Sequence, residues 1–414
     1  MAKTQEPGIK ERTQRVEDAL ALKVPDRVPL VISFGLFPAK YGGITCEDAF
    51  YDPVRWGAAL KKAVSAFAPD MYQGVRMVPG PVLEALDCKQ LKWPGHGAPP
   101  NHTHQFVEGE YMKADEYAAF LADPSDYAVR TYMPRIYGKL GGLHALPNFR
   151  SWLFGYAVAP QATMFARPEV TDALEALVKA GREASKWRAA MRSVDQDMTD
   201  LGFPQFSVST TYAPFDTISD CLRGMRGTML DMYRQPDKLL AACEKLLPVL
   251  TESAVGMAKR SGNPRVFIPL HRGADGFMSV KQFQTFYWPT LKSLLVALCD
   301  EGLTPCPFFE GEYTSRLEHL RELPKGKVLC HFDRTDMARA KDVLGDWLCL
   351  MGNVPASLLQ LGSPEEVREY CRALIDGAGK GGGFILSPGC VIDEARPENV
   401  KAMSDFTKQY GTYA

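Results

Sequence analysis

Five segments in the last third of the sequence decide the fold: VFIPLHR (266–272), TPCPFFEG (304–311), VLCHFD (328–333), LCLMGN (348–353) and GFILSPGC (383–390). Each segment starts with a short apolar run, reaches a polar or reactive side chain, and is followed by a helical pattern. Apolar runs that alternate with helices are typical of parallel strands, because parallel strands need a long crossover connection. The pattern therefore predicts consecutive βα units, which we interpret as strands four to eight of a closed (β/α)8 barrel.

Three weaker strand patterns precede these segments, at Arg27–Phe34, Met71–Met77 and Gln205–Thr211. Together they predict a single α/β barrel domain over residues 1–414, a length that such barrels reach with insertions. Residues 78–170, after the second strand, lose the alternation and are rich in Pro, Gly and aromatic residues. Because long excursions of this kind are usually functional, we expect an insertion that acts as a lid. Its lid aromatics would be Trp152, Phe154 and Tyr156.

Net charge, apolar runs and cysteine count limit the kinds of partner and compartment to expect. The formal net charge of −1 gives no electrostatic reason to expect nucleic acid or an anionic membrane. The sequence contains no apolar run of about 18 residues, and the N-terminal segment up to Arg15 lacks the apolar core of a secretory signal. Ten cysteines without regular spacing are typical of a reducing compartment. We therefore expect a cytoplasmic protein with a small-molecule substrate; its oligomeric state stays open, with a homodimer among the alternatives.

Three residues of metal-ligand type follow predicted strands. Glu310 comes after two phenylalanines, His331 ends a buried strand, and Cys390 lies in a glycine turn before a helix, whose N-terminus is expected to favour a thiolate. The C-terminal ends of barrel strands converge on one site, and three such ligands leave one position of a catalytic zinc ion open. The linear signal is weak, since 20 and 58 residues separate the three positions. A solvated carboxylate and a core histidine are the alternatives.

Two further residues are candidates for proton transfer. His271 follows the fourth strand and is a candidate proton donor, while Asp333 lies two residues after His331, where it could orient that imidazole ring. A substrate pocket at the same end of the barrel would use the aromatic and amide side chains Phe34, Phe37, Tyr41, Phe215, Phe308 and Asn353. Core packing is the simpler explanation for any one of these aromatic residues.

Several short motifs resemble the uroporphyrinogen decarboxylase superfamily, especially its corrinoid-linked methyltransferase branch. They are Gly352-Asn353-Val354, GSPEEV (362–367), Ser387–Cys390 and RPENVKAM (396–403). The resemblance implies a (β/α)8 barrel of this type, with the active site at the C-terminal strand ends. Two features depart from the decarboxylase branch: residues 33–38 contain no arginine to bind a porphyrin carboxylate, and residues 74–77 contain no aspartate. Decarboxylation of uroporphyrinogen is therefore not expected.

The zinc ligands that the resemblance implies differ between methyltransferase branches. The thiol-methylating branch carries a His-x-Cys and a later Cys, whereas Phe308 and Glu310 stand at the first two positions here and Cys390 matches the last. The aromatic O-demethylase branch has a Glu and a His separated by 20 residues, which Glu310 and His331 match. An earlier Glu of that branch falls on Leu295, so Cys390 is taken as the third ligand.

The resemblance thus implies a zinc-dependent methyltransferase that moves a methyl group from a methylated substrate to a corrinoid protein. The methyl donor would be an aryl methyl ether and the acceptor the cob(I)alamin of that partner. Three alternatives stay open: a methylcorrinoid:thiol methyltransferase, a zinc-free decarboxylase-like lyase that uses His271 and Asp333, and a corrinoid-binding scaffold without a metal.

Overall fold

Eight parallel strands surround the centre of the molecule in the computed structural model, which describes residues 8–74, 78–153 and 155–413. The strands in chain order are β1 Val31–Phe34, β2 Met71–Gly74, β3 Leu91–Pro94, β4 Gly97–Ala98, β5 Gln105–Phe106, β6 Ser209–Thr210, β7 Arg265–Leu270, β8 Thr304–Phe309, β9 Leu329–Phe332, β10 Cys349–Val354 and β11 Phe384–Pro388. β3 to β5 form a small separate sheet in the insertion, and the other eight strands form the barrel. The predicted (β/α)8 fold is confirmed.

The barrel closes through isolated bridges. β6 to β11 lie side by side in chain order, and β1 pairs with β2. Leu30 bridges to Leu386 of β11, and Tyr72 of β2 bridges to Gln205, which precedes β6. Beyond that bridge, the Gln73 side chain spans the space between the two strands. Its Oε1 accepts hydrogen bonds from the Ser207 backbone N–H at 3.1 Å and from the Ser207 hydroxyl at 2.9 Å. The wall is therefore loosest between β2 and β6.

The strand boundaries test the sequence patterns. The five segments of the last third all form strands, with ends close to the predicted ones. The first and third strands are shorter than predicted, β1 starting at Val31 and β6 spanning only Ser209–Thr210. In these two places the chain before the strand contributes isolated bridges and loop contacts instead of a continuous ladder. Residues 75–77 of the second predicted strand lie outside the described residues.

Apolar side chains form two concentric layers. One buried cluster fills the barrel and includes Val31, Met71, Cys306, Leu329, Met351 and Ile385, with Val16 and Leu20 of the first helix closing the N-terminal end. A larger cluster lies between the strands and the surrounding helices. Strand residues alternate between the two, since Cys349 and Met351 face the interior while Leu350 and Val354 face the helices. Functional side chains must therefore come from the interior-facing register.

The helices pack around the strands. In chain order they are α1 Ile9–Leu20, α2 Phe37–Gly42, α3 Cys46–Tyr51, α4 Pro53–Phe67, α5 Gly80–Leu86, α6 Tyr117–Ala122, α7 Pro124–Tyr127, α8 Met133–Ile136, α9 Val158–Ala162, α10 Pro168–Asp200, α11 Pro214–Asp216, α12 Gly224–Arg234, α13 Pro236–Ser261, α14 Val280–Gln282, α15 Trp288–Asp300, α16 Leu317–Leu320, α17 Met337–Leu344, α18 Ala356–Leu361, α19 Pro364–Leu374 and α20 Pro397–Tyr410. α10, with 33 residues, is the longest helix of the described chain. No described helix combines the length and apolar character needed to cross a bilayer.

The insertion, residues 78–170, is tied to the barrel by a buried polar network. The Arg223 side chain donates to Asp231 Oδ2 at 2.6 Å and to the Met112 carbonyl at 2.7 Å, and the Tyr117 hydroxyl donates to the same carboxylate at 2.9 Å. These contacts join the insertion to the chain that follows β6, and the single domain over residues 1–414 stays a prediction. Of the predicted lid aromatics, Trp152 packs against neighbouring rings, Tyr156 is fully exposed, and residue 154 lies outside the described residues. The lid role stays a prediction.

Candidate active site

Asp216 is a fully buried carboxylate at the barrel mouth, the end where the strand C-termini lie. It ends α11, just after β6. It accepts three hydrogen bonds: from the backbone N–H of His271 at 2.9 Å, from that of Arg272 at 3.1 Å and from the Tyr287 hydroxyl at 2.6 Å. Burial raises the pKa of Asp216 to about 6, against the opposing charge of His271. This carboxylate therefore fixes the backbone at which β7 delivers His271.

His271 stands between two carboxylates. Its Nδ1 is 2.5 Å from Asp220 Oδ2, and its Nε2 is 3.7 Å from Glu310 Oε2, beyond hydrogen-bond distance. Arg272 donates to the other Asp220 oxygen at 2.8 Å, which holds that carboxylate in place. Burial lowers the pKa of His271, but the hydrogen bond to Asp220 and the charges of Asp216, Asp220 and Glu310 outweigh burial and raise it. The side chain is 31% exposed, so the imidazole is accessible from the mouth.

The loop after β7 needs a glycine. A Cβ at Gly273 would lie 2.8 Å from Tyr287 Cε1 and 2.9 Å from the Tyr313 hydroxyl oxygen, closer than side chains tolerate. Both tyrosines are buried, and burial raises the pKa of each phenol well above its usual range. Tyr287 is the partner of Asp216, so the loop, the two rings and the buried carboxylate form one packed unit.

The three predicted metal ligands lie in different environments. Glu310 follows β8 with 54% of its side chain exposed. His331 is 3% exposed inside the barrel, and burial lowers its pKa to about 4. Its ring centroid lies 4.7 Å from that of Phe308, and its Nε2 lies 2.9 Å from the Pro388 carbonyl oxygen. Burial, reinforced by the charges of Asp333 and Glu310, raises the pKa of the Cys390 thiol to about 11.

The expected thiolate at Cys390 is wrong for this environment. The following helix, α20, begins only at Pro397, seven residues after Cys390. The charged neighbours of the sulfur include the carboxylates of Asp333 and Glu310. These charges favour the neutral thiol.

The positions of the three candidate ligands differ from those of a zinc site. In the described parts of the chain, no three His, Cys, Asp or Glu side chains are arranged to hold a metal ion. The Nε2 atom of His331 already faces a carbonyl oxygen, and Glu310 points to the exposed side of the mouth. With these positions Glu310, His331 and Cys390 do not fit a tetrahedral zinc ion. Their ligand role stays a prediction.

Asp333 and Asn353 have partners other than those predicted. Asp333 Oδ2 accepts from the Gly311 backbone N–H at 3.0 Å, whereas the partner that the structure gives the His331 ring is the Pro388 carbonyl. Burial raises the pKa of Asp333. Asn353 is 4% exposed, and its amide donates to the Thr335 carbonyl at 2.9 Å. These two residues stabilise the loops after β8 and β9.

Three of the predicted pocket aromatics lie outside the barrel. Phe34, Phe37 and Tyr41 pack against Phe67 of α4, with ring centroids 6.3, 5.7 and 5.2 Å from it. In β1 the interior-facing register belongs to Val31, so Phe34 faces the helices. Core packing accounts for these three rings.

Phe215 and Phe308 belong to different layers. Phe215 is 1% exposed in the helix-facing core, with its ring centroid 5.6 Å from that of Tyr287. Phe308 belongs to β8 and stacks on Phe267 at 6.1 Å, with His331 on its other neighbouring strand. Among the predicted pocket aromatics, Phe308 is the one that contacts the imidazole ring of His331 inside the barrel.

Asp216, Asp220 and Tyr287 were not predicted as site residues. His271 directly follows the fourth barrel strand, whereas Asp216 lies six residues after the end of the third, so the strand pattern indicates the region of Asp216 but not the residue. Asp220 lies four residues later, one helical turn along the chain. Tyr287 carries no local signal, because it lies within a helical stretch of apolar pattern.

Comparisons with known proteins show a family and a solved structure to which this chain is similar. The family model described as uroporphyrinogen decarboxylase (URO-D) matches residues 161–410, which is more than half of the chain. A uroporphyrinogen decarboxylase of Syntrophotalea carbinolica is 30% identical over 131 residues, 31% of this chain and only 37% of that relative's length. A solved methyltransferase from Methanosarcina mazei superimposes with a TM-score of 0.62 at 16% identity, covering 96% of this chain and 98% of that one. At this identity the likeness shows the fold.

Proposed function

The chain belongs to the uroporphyrinogen decarboxylase family, and on that premise we propose that it is a methyltransferase that takes a methyl group from a methylated substrate. The substrate proposed is an aryl methyl ether, and the acceptor is the cob(I)alamin of a corrinoid partner protein. The observation that carries the proposal is the position of His271 at the barrel mouth, with Nδ1 2.5 Å from Asp220 and Nε2 3.7 Å from Glu310. The methyltransferase of Methanosarcina mazei with the same fold supports the reaction class.

Ether cleavage requires an acid at the oxygen. The methyl carbon takes an electron pair from the cobalt of the corrinoid, while the carbon–oxygen bond breaks and its electrons stay on oxygen. A phenolate is a poor leaving group unless its charge is neutralised. In the proposed reaction His271 donates the Nε2 proton to that oxygen, so that a phenol leaves, and Asp220 keeps the ring oriented through Nδ1. Asp216 holds the histidine backbone and is a positioning residue.

The sequence predicts a zinc ion, but the three candidate ligands do not fit a metal ion as they lie, so the proposed reaction gives the metal no role. Mass-spectrometric metal analysis of the purified protein decides this point. Stoichiometric zinc that disappears in Glu310→Ala, His331→Ala and Cys390→Ala would establish the ligand set and a rearrangement of these side chains. Protein that neither contains nor takes up zinc would remove the metal from the proposal.

The activity is tested with cob(I)alamin and 2-methoxyphenol, by following methylcobalamin in the absorbance spectrum. We expect His271→Gln to lower the rate by about a hundredfold or more, the usual effect of removing a general acid. The loss should be smaller with 4-nitroanisole, whose leaving group needs little help from an acid. His102→Gln, in an exposed loop of the insertion, is the matched control and should keep full activity. Methyl transfer that is insensitive to His271→Gln would contradict the assigned acid.

A decarboxylase-like lyase is the second candidate. In that reaction His271, at the same position, protonates the carbon atom that loses carbon dioxide, and the relative from Syntrophotalea carbinolica is a decarboxylase. Carbon dioxide released from an aryl or pyrrole carboxylate, with no methylcobalamin formed from methyl ethers, would favour this reaction. Methylation of a thiol by methylcobalamin would instead favour the thiol methyltransferase.

A further inference from the structure

A cavity of about 670 Å³ lies on the side of the barrel, where β2 and β6 separate. α4, α10 and the segment before β6 form its walls, which include the residues Trp56, Leu60, Trp187, Met191, Gln205 and Ser207. None of the described residues that line it belongs to the cluster around His271. The cavity is therefore a separate feature of the molecule.

The middle of α10 accounts for this space. This helix has 33 residues, but none between Ala180 and Met198 is buried. Gly57 of α4 lets Val194 approach, since a Cβ there would lie 2.3 Å from Val194 Cγ2. That contact closes one side, and the half-buried Trp187 forms part of the wall instead of entering the core.

The cavity wall combines the Trp56 indole with other apolar side chains. Trp56 is 1% exposed, and its indole N–H makes no hydrogen bond to any described residue. The Trp56 N–H is not among the fully buried polar atoms left without a partner in the described chain. The half-buried side chains of Trp187 and Met191 give the cavity an apolar surface suited to an aromatic ligand.

Two arginines supply positive charge at the same cavity. Arg188 and Arg192 line it from neighbouring turns of α10, both exposed, and neither forms an ion pair or hydrogen bond with a described residue. The carboxylate among the lining residues is Asp195, which accepts from the Gln205 amide. Among the described lining residues, two guanidinium groups stand against one carboxylate, which is an excess of positive charge. Guanidinium groups pair with carboxylates in a bidentate manner.

We propose that this cavity binds an aromatic carboxylate. The ring lies along Trp187 and Met191, an acceptor atom takes the Trp56 indole N–H, and the carboxylate pairs with Arg188 and Arg192. The proposal goes beyond methyl transfer, because it assigns a second ligand site on the outer side of the barrel that is independent of the His271 cluster.

The test uses the full-length protein with 2-naphthoate and its neutral analogue 2-naphthylmethanol, and measures binding by calorimetry and tryptophan fluorescence. We expect the carboxylate to bind about tenfold more tightly than the alcohol, as one charge-assisted contact predicts. Arg188→Gln with Arg192→Gln should remove that difference and leave alcohol binding unchanged, which also shows that the variant is folded. Arg182→Gln, exposed on the same helix away from the cavity, is the control.

Two outcomes would overturn the proposal: equal affinity for the acid and the alcohol, or acid binding that the double arginine variant leaves unchanged. Absence of naphthoate binding would do the same. His271→Gln should bind naphthoate as the unmodified protein does. Binding lost in that variant would place the ligand at the barrel mouth instead and refute a separate site.

Discussion

At the scale of single residues, two aspartates act on one histidine in different ways. Asp220 contacts the imidazole ring, whereas Asp216 holds the backbone and contributes its charge through the buried interior. We expect Asp220→Asn to lower the pKa of His271, because the ring loses the hydrogen bond and charge that oppose burial. An NMR titration of the imidazole measures the change. Asp342→Asn, at an exposed position of α17, should leave it unaltered, and an unchanged pKa in Asp220→Asn would refute the assignment.

Asp216 predicts a pH dependence of stability. Its pKa is raised from 3.8 to about 6, so the folded state binds the proton more tightly than the unfolded state does. Its stabilising contribution is therefore complete below about pH 4 and is lost as the pH rises through about 6. Over that pH range, the free energy of unfolding of the unmodified protein should fall by up to about 3 kcal/mol relative to that of Asp216→Asn, which cannot ionise at this position. Urea unfolding at successive pH values measures the difference, and parallel pH profiles for the two proteins would contradict it.

At the scale of elements, the loop after β7 offers a matched pair of glycines. Gly273→Ala introduces a methyl group against Tyr287 and Tyr313, and should cost about 1–3 kcal/mol, as overpacking does. Gly276→Ala, three residues later, meets no atom within 4 Å and should be neutral. Urea denaturation compares the two variants. Because Tyr287 contacts Asp216, methyl transfer should also fall in the first variant alone; equal stability of both would show that the loop relaxes freely.

At the scale of the whole molecule, the insertion and the barrel share one core. Met112, Tyr117, Phe120 and Tyr127 of the insertion belong to the same buried cluster as the helix-facing strand residues. We therefore expect a single unfolding transition in urea, with coincident midpoints from far-ultraviolet circular dichroism and tryptophan fluorescence. Two separated transitions would show that residues 78–170 unfold as an independent unit.

The sequence by itself determined the alternation of strands and helices from Val266 onward. Apolar runs, glycine turns and helix starts such as Ser363-Pro364 are local patterns, and local patterns survive without knowledge of the fold. They also placed Glu310, His331 and His271 at or near strand ends. The short first and third strands were harder to delimit, because bridges to residues far away in the chain replace a regular ladder there.

Only the tertiary structure decided which strand-end side chains meet. Phe34 turned out to face the helices, Cys390 to lie among carboxylates, and His331 to face the Pro388 carbonyl. The cluster of Asp216, Asp220 and His271 depends on contacts across more than 50 residues of chain. The burial of a side chain and the charges around it depend on neighbours that only the fold brings together. A local sequence pattern therefore cannot predict them.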